Sequence, residues 1–370
     1  MRVLIEDGFS VQKGAGIGQY TRNLFRALGE IEAVDHVEIA EKRWLNKFSH
    51  KVLRRVLYIV WLNTSLQQYL SNNRINIAHF TNYLVPFVKT HKAKYVVTIH
   101  DLTAWMAPKT LPLGYMIYNR LAILHAIRRA SLVITVSETV KKELLKLLNC
   151  ARKINIRVIH NAVSPNFRRL SLEERKIRRE QLKKLGINGK YILFVGTLEK
   201  RKNILGLLKA FVRLKQLTKK FQELKLVLVG NQGYGFVEIS AYLDRHQLSD
   251  SIILTNYVRE DELITLYNLA ELFVYPSLYE GFGIPLLEAM ACGVPIIAND
   301  IPSTREVVNN AAVLVNSNDE ETFARTMLKV LENKNLRDEL IFKGVERVRE
   351  FSWDINARKH LEAYKELLGN

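Results

Sequence analysis

Two glutamates stand eight residues apart in a segment that predicts a strand, a glycine loop and a helix in succession. The helix would begin at Pro285 and end at Gly293. Glu280 then falls in the loop and Glu288 in the first turns of the helix. One carboxylate could contact a sugar while the other reaches a ribose, with the loop amides between them. Two glutamates at this spacing indicate nothing in isolation, and it is their surroundings that favour a functional site.

A basic loop follows the predicted buried strand at 191–195. Arg201 and Lys202 in this loop precede a predicted helix, where two cations can hold a diphosphate and stabilise its charge as it leaves. Solvated surface charge is the alternative, and it suits the neighbouring Lys200 better than Arg201 or Lys202.

Polar residues also follow the predicted strands of the first half. His100 and Asp101 come directly after a buried strand, and Asn161 closely follows a later one. Ligands of parallel α/β sheets collect at this carboxyl edge, which favours a functional site. A buried structural histidine is the alternative for His100. Ser137, after a neighbouring strand, is better explained as a helix N-cap.

Gly14, Gly16 and Gly18 follow the first predicted strand and lead into a helix from about Ile17 to Leu28. Glycines there would let backbone N–H groups approach a phosphate at the positive end of the helix. A tight strand-to-helix turn explains them equally well, because the spacing is not that of the dinucleotide fingerprint G-x-G-x-x-G.

Short β-branched runs alternate with helical patterns along most of the chain, which predicts an α/β fold with parallel sheets. The predicted strands are 3–5, 77–80, 95–99, 132–136 and 156–159 in the first half, and 191–195, 225–229, 251–254, 272–275, 295–298 and 312–315 in the second. A length of 370 residues favours two domains. We place them at 1–165 and 166–350, with a last helix at 351–370 that could pack back on the first domain.

Composition limits the partners. The sequence has 55 Lys plus Arg against 37 Asp plus Glu, and its net charge of +18 predicts an anionic neighbour: a diphosphate, a nucleic acid or an acidic lipid surface. Cys150 and Cys292 are isolated, which argues against a disulfide framework and a zinc site. The start does not resemble a signal peptide, and no apolar run approaches the roughly 20 residues of a membrane span. We therefore expect a cytoplasmic protein.

The segment 277–295 resembles the E-x7-E signature of the retaining glycosyltransferase family 4. Further matches lie at 14–20, 98–102, 136–138, 160–163, 195–203 and 351–353, so the resemblance covers nearly the whole chain. It implies the GT-B fold, in which two Rossmann-like domains with parallel sheets face each other across a cleft. It also implies an enzyme that moves a sugar from a nucleotide-diphosphate donor onto an acceptor.

The resemblance assigns roles by position. Arg201 and Lys202 would bind the donor diphosphate, with Gly16 near the phosphates. Glu288 would hold the ribose hydroxyls, and Glu280 would grip the transferred sugar. The implied catalytic set is His100, Arg201, Lys202 and Glu280. Further implied donor contacts are Gly281, Phe282, Gly283 and Ile284 around the sugar and Tyr257 and Val258 at the base, with Asp101 and Asn161 on the acceptor side.

One departure from the family pattern bears on the donor. Many members carry Gly-Arg-Leu where this chain has Gly196-Thr197-Leu198, and Thr197 cannot supply the charge of that arginine. Arg201 is the natural substitute, and the variant resembles a mannosyltransferase-like branch, which favours GDP-mannose. The family retains the anomeric configuration without a metal, so neither a cofactor nor a metal is expected. A donor phosphate oxygen would take the acceptor proton, and Glu280 would be a sugar ligand rather than a nucleophile.

The segment from Lys42 to Tyr58 mixes basic and apolar residues at helical spacing. Such a helix could lie on the anionic inner face of a membrane and bring the active site to a lipid-linked acceptor. A helix whose apolar stripe packs in the core fits the pattern equally well.

Other functions predict other features. A UDP-sugar-dependent transferase of the same family, or a sugar-nucleotide epimerase on the same fold, would share the diphosphate cations. A nucleic-acid-binding protein predicts basic and aromatic residues interleaved on one surface, whereas the basic residues here are spread over linker, helices and cleft. A nicotinamide-dependent dehydrogenase conflicts with the glycine spacing. We therefore expect a nucleotide sugar and a glycan or lipid-linked acceptor as partners, and no nucleic acid.

Overall fold

The computed structural model describes residues 1–6, 16–32, 34–40, 42, 45, 47, 50–89, 91–148 and 154–369. The chain divides into two units. The first comprises Met1–Leu102, Gly114–Asn161 and Trp353–Asn370, and the second comprises Thr103–Leu113 and Ala162–Ser352. The change of unit after residue 161 lies just before the boundary placed at Pro165. Residues 103–113 belong to the second unit, although they lie within the range placed in the first domain. They group with residues far away in the chain, and such grouping leaves no local signal in the sequence.

The first unit contains one parallel sheet. Its strands in the described residues are β1 (Arg2–Glu6), β2 (His36–Ile39), β3 (Ile77–Phe80), β4 (Lys94–Ile99), β5 (Leu132–Thr135) and β6 (Ile156–Val158). Its helices are α1 (Gly16–Gly29), α2 (Lys51–Asn63), α3 (Ser65–Asn72), α5 (Leu113–Arg129), α6 (Glu138–Leu147) and α15 (Trp353–Leu368). The strand order is β2-β1-β3-β4-β5-β6. Strands β3 and β5 are buried over their full length, as in sheets covered on both faces.

The second unit contains the other parallel sheet. Its strands are β7 (Tyr191–Val195), β8 (Lys225–Val229), β9 (Ile252–Asn256), β10 (Leu272–Tyr275), β11 (Ile296–Asn299) and β12 (Val313–Val315). Its helices are α4 (Thr103–Met106), α7 (Leu172–Lys183), α8 (Ile204–Leu217), α9 (Phe236–Arg245), α10 (Glu260–Leu269), α11 (Ile284–Cys292), α12 (Pro302–Val308), α13 (Glu320–Glu332) and α14 (Lys334–Val348). The strand order β12-β11-β10-β7-β8-β9 places the first strand of the unit at the centre, which is the Rossmann arrangement.

The sequence predicts eleven strands, and all of them form within one or two residues of the predicted bounds. The structure contains one further strand, β2, which the sequence analysis misses. Its four residues, His36–Ile39, lie at the edge of the sheet and are only partly buried. An edge strand needs neither length nor a continuous apolar run, so its pattern resembles that of a loop.

Helix boundaries also follow their local signals. Ser137 accepts a hydrogen bond from the Val140 N–H at 3.0 Å, which confirms its role as the N-cap of α6. Gly293 ends α11 in the left-handed conformation, with φ at 68°. Among the helices described, none combines the length and the apolar character needed to cross a bilayer.

Candidate active site

The order of the second sheet reverses between β7 and β10, which pair directly although they are not consecutive in the chain. At such a switch point the loops that follow the two strands diverge and leave a crevice for a ligand. The loop after β7 carries Arg201 and Lys202, and the loop after β10 carries Glu280. The topology therefore brings three of the predicted site residues together.

Glu280 holds both cations directly. Its Oε2 accepts a hydrogen bond of 2.7 Å from Arg201 Nη1, and its Oε1 accepts one of 2.5 Å from Lys202 Nζ. Arg201 also donates to Glu199 Oε1 at 2.7 Å and to the carbonyl of Tyr279 at 2.8 Å. Glu280 is only 8% exposed and Lys202 only 7%. The cluster thus combines two positive and two negative side chains at low exposure.

The cations control the charge of the carboxyl group. Burial favours the neutral form of Glu280, but Arg201 and Lys202 outweigh burial and lower its pKa to about 2. Burial also lowers the pKa of Lys202; Glu280 opposes that shift, and Arg201 adds to it. Because Glu280 stays ionised at neutral pH, it can hold two cations close to each other where solvent screens them little.

A second set of polar side chains fixes the loop after β10: Asn299 and Ser317, which are buried, and Asn203, which is partly buried. Asn203 Nδ2 donates to the hydroxyl and to the carbonyl of Ser317, both at 3.0 Å. The Ser317 hydroxyl donates to the carbonyl of Pro276 at 2.8 Å, and Asn299 Nδ2 donates to the carbonyl of Ser277 at 2.9 Å. The sequence analysis misses this set, because Asn203 and Ser317 come from separate loops and Asn299 ends β11, and only the folded chain brings them together.

Two glycines, Gly230 and Gly283, allow the backbone conformations of the loops around this site. Gly230, after β8, has φ at 144°, and a β-carbon there would lie 2.1 Å from the carbonyl oxygen of Gly196. Gly283 has φ at 119° and immediately precedes α11, a conformation that other residues rarely adopt. The loops after β7 and β8 therefore approach closely only because one of them lacks a side chain at this point.

Glu288 lies on α11 in an environment unlike that of Glu280. The Tyr267 hydroxyl, on α10, donates to Glu288 Oε2 at 2.8 Å. Burial raises the pKa of Glu288 to about 7, and the hydrogen bond from Tyr267 offsets only part of this shift. The two glutamates of one sequence segment therefore have opposite pKa shifts, which their spacing could not reveal.

The other predicted donor residues lie at several positions. Residues 281–284 continue the same loop into the start of α11 and are largely buried. Tyr257 and Val258 follow β9, two strands away from β7, with Tyr257 exposed and Val258 buried. Gly16 begins α1 in the first unit, and Gly14 lies outside the described residues.

His100 follows β4 at the carboxyl edge of the first sheet. Its Nε2–H donates to the carbonyl of Thr81 at 2.8 Å, and burial lowers its pKa, so the neutral ring keeps Nδ1 as an acceptor. The ring of Tyr20 meets it edge-on, with 4.9 Å between centroids. Asp101 follows directly and is half-buried, whereas Asn161, after β6, is 4% exposed. A neutral His100 can accept a hydrogen bond from a sugar hydroxyl.

Two further histidines in the first unit form a buried hydrogen-bonded chain that the sequence analysis misses. His360 Nδ1 lies 2.8 Å from a backbone carbonyl of α15, which can only accept, so His360 Nε2 accepts from the Tyr20 hydroxyl at 3.0 Å. His79 contacts the hydroxyls of Tyr364 at 2.6 Å and Thr98 at 2.7 Å. Burial lowers the pKa of His360 to about 4 and that of His79 well below its usual value. The hydroxyls of Tyr20 and Thr98 lie 3.5 Å apart and link the two histidines, so the chain joins β3 and β4 to α15.

Within the described ranges, no three His, Cys, Asp or Glu side chains are grouped so that they could hold a metal ion. Cys292 is a buried free thiol on α11, and Cys150 lies outside the described residues.

Family models match both halves of the chain. One described as glycosyltransferase family 4 matches residues 16–167, and one described as glycosyl transferases group 1 matches residues 177–347. O-antigen chain mannosyltransferase B of Escherichia coli is 31% identical over 292 residues, which cover 78% of this chain and 74% of that protein. The mannosyltransferase RfbU of Salmonella typhimurium is 28% identical, over 84% of this chain and 86% of its own. The serotype-specific mannosyltransferase WbdA of Escherichia coli is 30% identical over 79% of this chain, and the match spans 37% of its length.

Solved structures share the fold. Sucrose-phosphate synthase from Thermosynechococcus elongatus superimposes with a TM-score of 0.78 at 19% identity, covering 100% of this chain and 99% of the other. HepE from Anabaena, solved with UDP-glucose, has a TM-score of 0.75 at 17% identity, covering 99% of this chain and 100% of its own. The chain therefore has the GT-B fold, belongs to glycosyltransferase family 4 and is a glycosyltransferase.

Proposed function

We propose that this enzyme transfers mannose from GDP-mannose to a lipid-linked glycan, with retention of anomeric configuration and without a metal ion. The observation that carries the proposal is the cluster in which Glu280 holds Arg201 and Lys202 at the switch point of the second sheet. The mannosyltransferase relatives support mannose as the sugar. Their activity in O-antigen synthesis supports a glycan acceptor carried on a lipid.

The two cations would stabilise the leaving diphosphate. When the sugar–phosphate bond breaks, negative charge accumulates on the diphosphate, and a guanidinium and an ammonium that are already oriented stabilise that charge without reorganising. In many transferases a divalent cation neutralises such a leaving group. Arg201 and Lys202 would supply the same two positive charges here, which is why we propose catalysis without a metal.

Glu280 would act through its charge and position rather than as a base or nucleophile. A carboxylate with a pKa of about 2 is a very weak base at neutral pH. Both of its oxygens already accept hydrogen bonds from cations, which reduces their nucleophilicity. A phosphate oxygen of the donor is the better acceptor for the proton of the incoming hydroxyl. Attack from the face that the diphosphate leaves would then retain the configuration.

Glu288 would select the nucleoside part of the donor. A buried carboxyl with one hydrogen bond from Tyr267 has further acceptor capacity, and two ribose hydroxyls could use it. The backbone at Tyr257 and Val258 would contact the base. In the first unit, His100 would accept a hydrogen bond from the transferred sugar, and Asp101 and Asn161 would lie on the acceptor side.

Calorimetric titration of the full chain with GDP, UDP, ADP and dTDP, each with and without EDTA, tests the donor. We expect GDP to bind most tightly and EDTA to leave its affinity unchanged. Transfer from GDP-mannose to a lipid-linked glycan should follow, and the one-bond carbon–hydrogen coupling of the new mannoside should show the α configuration of the donor. An inverted product, or a requirement for added metal, would contradict the proposed mechanism.

A UDP-sugar is the second candidate donor, because HepE was solved with UDP-glucose and shares the fold. The same titration separates the two. Preference for UDP would keep the transferase assignment and the roles of Arg201 and Lys202 while replacing GDP-mannose. Binding of none of these nucleotides would remove the donor assignment.

A further inference from the structure

The first unit exposes large apolar side chains on three neighbouring segments: helix α2, the loop 83–88 and helix α5 from Gly114 onwards. We refer to them as the apolar face. Its exposed apolar members are Val52, Leu53, Val56, Ile59, Val60, Phe87, Val88, Tyr115, Ile117, Tyr118 and Leu121. They are eleven of the 22 large apolar side chains exposed in the described part of the chain. Exposed apolar side chains are normally scattered, and such concentration indicates a surface that is covered in use.

Direct contacts join the three segments. Asn63, in the last turn of α2, accepts hydrogen bonds from the backbone N–H groups of Phe87 at 2.7 Å and Val88 at 3.2 Å. The ring of Phe87 packs on His125 of α5, with 4.8 Å between centroids. Tyr83 donates its hydroxyl to Asn119 of α5 at 2.5 Å. The three segments are therefore neighbours that direct contacts hold together.

Helix α2 is apolar on both sides. Tyr58 and Leu62 are 0% and 3% exposed and belong to the core, whereas Val52 and Val60 on the other side are 62% and 52% exposed. A helix that only needed to bury one stripe would present polar residues to water on its outer side. The core explanation of the segment from Lys42 to Tyr58 therefore accounts for one side of α2 and leaves the exposed apolar side without a partner surface, as far as its residues are described.

The charged side chains of the three segments are all basic. Helix α2 carries Lys51, Arg54 and Arg55, and α5 carries Arg120, Arg128 and Arg129, without an acidic residue on either helix or in the loop 83–88. Arg55 lies close enough to Tyr118 for its charge to oppose the rise that burial causes in the tyrosine pKa. The neighbouring Lys89 feels the charges of two other basic side chains, which add to the effect of burial in lowering its pKa. A positive rim around an apolar centre matches an anionic surface with an apolar interior.

We propose that the apolar face docks on an anionic lipid bilayer, with α2, α5 and the loop 83–88 inserted to the depth of the headgroups. Apolar side chains would enter the boundary between headgroups and acyl chains, and arginine and lysine side chains would extend to the phosphates. Tyr115 and Tyr118 fit this boundary, where one end of the ring is apolar and the other wet. The inference rests on the proposed lipid-linked acceptor, because docking would place the enzyme where that acceptor resides.

Vesicle sedimentation of the full chain tests the proposal. We expect binding to vesicles of phosphatidylglycerol and phosphatidylcholine that falls as salt rises, and little binding to phosphatidylcholine alone. The double variant Val56→Gln/Leu121→Gln should bind the anionic vesicles at least about tenfold more weakly, because two apolar side chains no longer enter the boundary region. The matched control is Val237→Gln/Phe342→Gln, which changes two exposed apolar residues on helices of the second unit and should bind like the wild type.

Charge is tested separately. Arg55→Gln/Arg128→Gln should weaken binding to the anionic vesicles and reduce its salt dependence, whereas Arg245→Gln in the second unit should change neither. The proposal would be overturned if Val56→Gln/Leu121→Gln and Arg55→Gln/Arg128→Gln bound the vesicles as tightly as the wild type. It would also be overturned if the control variants in the second unit lost as much binding as these two. Light scattering that shows a dimer in the wild type and a monomer in Val56→Gln/Leu121→Gln would assign the face to a second copy instead.

Donor binding separates this inference from the proposed function. Every variant should bind GDP like the wild type, which also shows that it is folded. Vesicle binding without GDP binding in the wild type would leave the docking surface standing while the donor assignment fails. GDP binding without vesicle binding would remove the docking surface alone.

Discussion

The two units hold buried polar residues in opposite ways. At the edge of the second sheet, Glu280, Arg201 and Lys202 are charged and paired with one another. In the first unit, His79 inside β3 and His360 on α15 are buried, neutral and linked through hydroxyl groups. Each arrangement satisfies buried polar groups, but only the first concentrates charge.

This difference shows what the sheet determines and what the loops determine. Both sheets are six-stranded and parallel, so in each the loops after the strands meet at one edge. The loops of the second unit place two cations there, which suits a ligand that develops negative charge. In the first unit the loop after β4 places His100 there, and burial lowers its pKa so that the ring is neutral, which suits an uncharged ligand such as a sugar.

Removing one cation should have the largest effect. Lys202→Met keeps the length of the side chain but removes a charge beside the leaving diphosphate, and we expect kcat to fall by about 10² to 10³. Stopped or continuous assays of mannosyl transfer would measure it. The matched control is Lys200→Met, since Lys200 pairs with Glu238 at the surface at 2.5 Å. An equal fall of kcat in both variants would mean that kcat depends on the overall positive charge of the loop rather than on the ammonium group that Glu280 holds.

Acid should act on the two units in opposite directions. The pKa of His360 falls from 6.5 to about 4 on folding, so the stability that it contributes is present above pH 6.5 and is lost as the pH falls towards 4. The pKa of Glu288 rises from 4.5 to about 7, so its contribution is greatest below pH 4.5 and is lost as the pH rises through 7. Each shift corresponds to about 3 kcal/mol.

Hydrogen exchange followed by mass spectrometry, corrected for intrinsic rates, separates the units. Between pH 7 and 4.5 the free energy of opening should fall for peptides of α15 and rise for peptides of α11. Below pH 4.5 the second unit should also weaken, because the pKa of Glu280 is about 2 and its ion pairs are lost as it protonates. Parallel trends in the two units would contradict the contrast between them.

The sequence predicts the fold well because that information is local. Strands such as 191–195 and 272–275 are continuous apolar runs, and Gly293 and Ser137 are local signals for a helix end and a helix start. The residues of the switch point could be predicted for the same reason, since each loop follows a recognisable strand. His79 and His360 could not, because one lies inside a strand and the other on the last helix, and only the folded chain brings them together.

The electrostatics of the site could not be predicted either. Glu280 and Glu288 belong to one segment, but their pKa values depend on Arg201 and Lys202 in one case and on burial beside Tyr267 in the other. These partners come from other loops and helices. Spacing therefore identifies the two glutamates as candidates, and only their neighbours decide what each can do.

Glu288→Gln should weaken donor binding by about tenfold, because an amide accepts hydrogen bonds from two ribose hydroxyls less well than a carboxylate does. The same variant should be more stable than the wild type at pH 8, where Glu288 is ionised and buried. Titration with GDP and thermal unfolding at pH 8 measure the two effects. Gain of stability with loss of affinity is the expected signature, whereas loss of both would indicate a structural role for Glu288.

Tyr20→Phe should have the smallest effect, and it tests the neutral hydrogen-bonded chain of the first unit. The variant keeps the ring against His100 but removes the hydroxyl that donates to His360 Nε2 at 3.0 Å. A buried acceptor without a donor costs about 1 to 3 kcal/mol, so urea unfolding should show a loss in that range while kcat changes less than about twofold. Tyr364→Phe removes the hydroxyl beside His79 in the same chain and should cost a similar amount. If the two losses add in the double variant, the two ends of the chain act independently; a smaller combined loss would show that His79, Thr98, Tyr20 and His360 form one cooperative network.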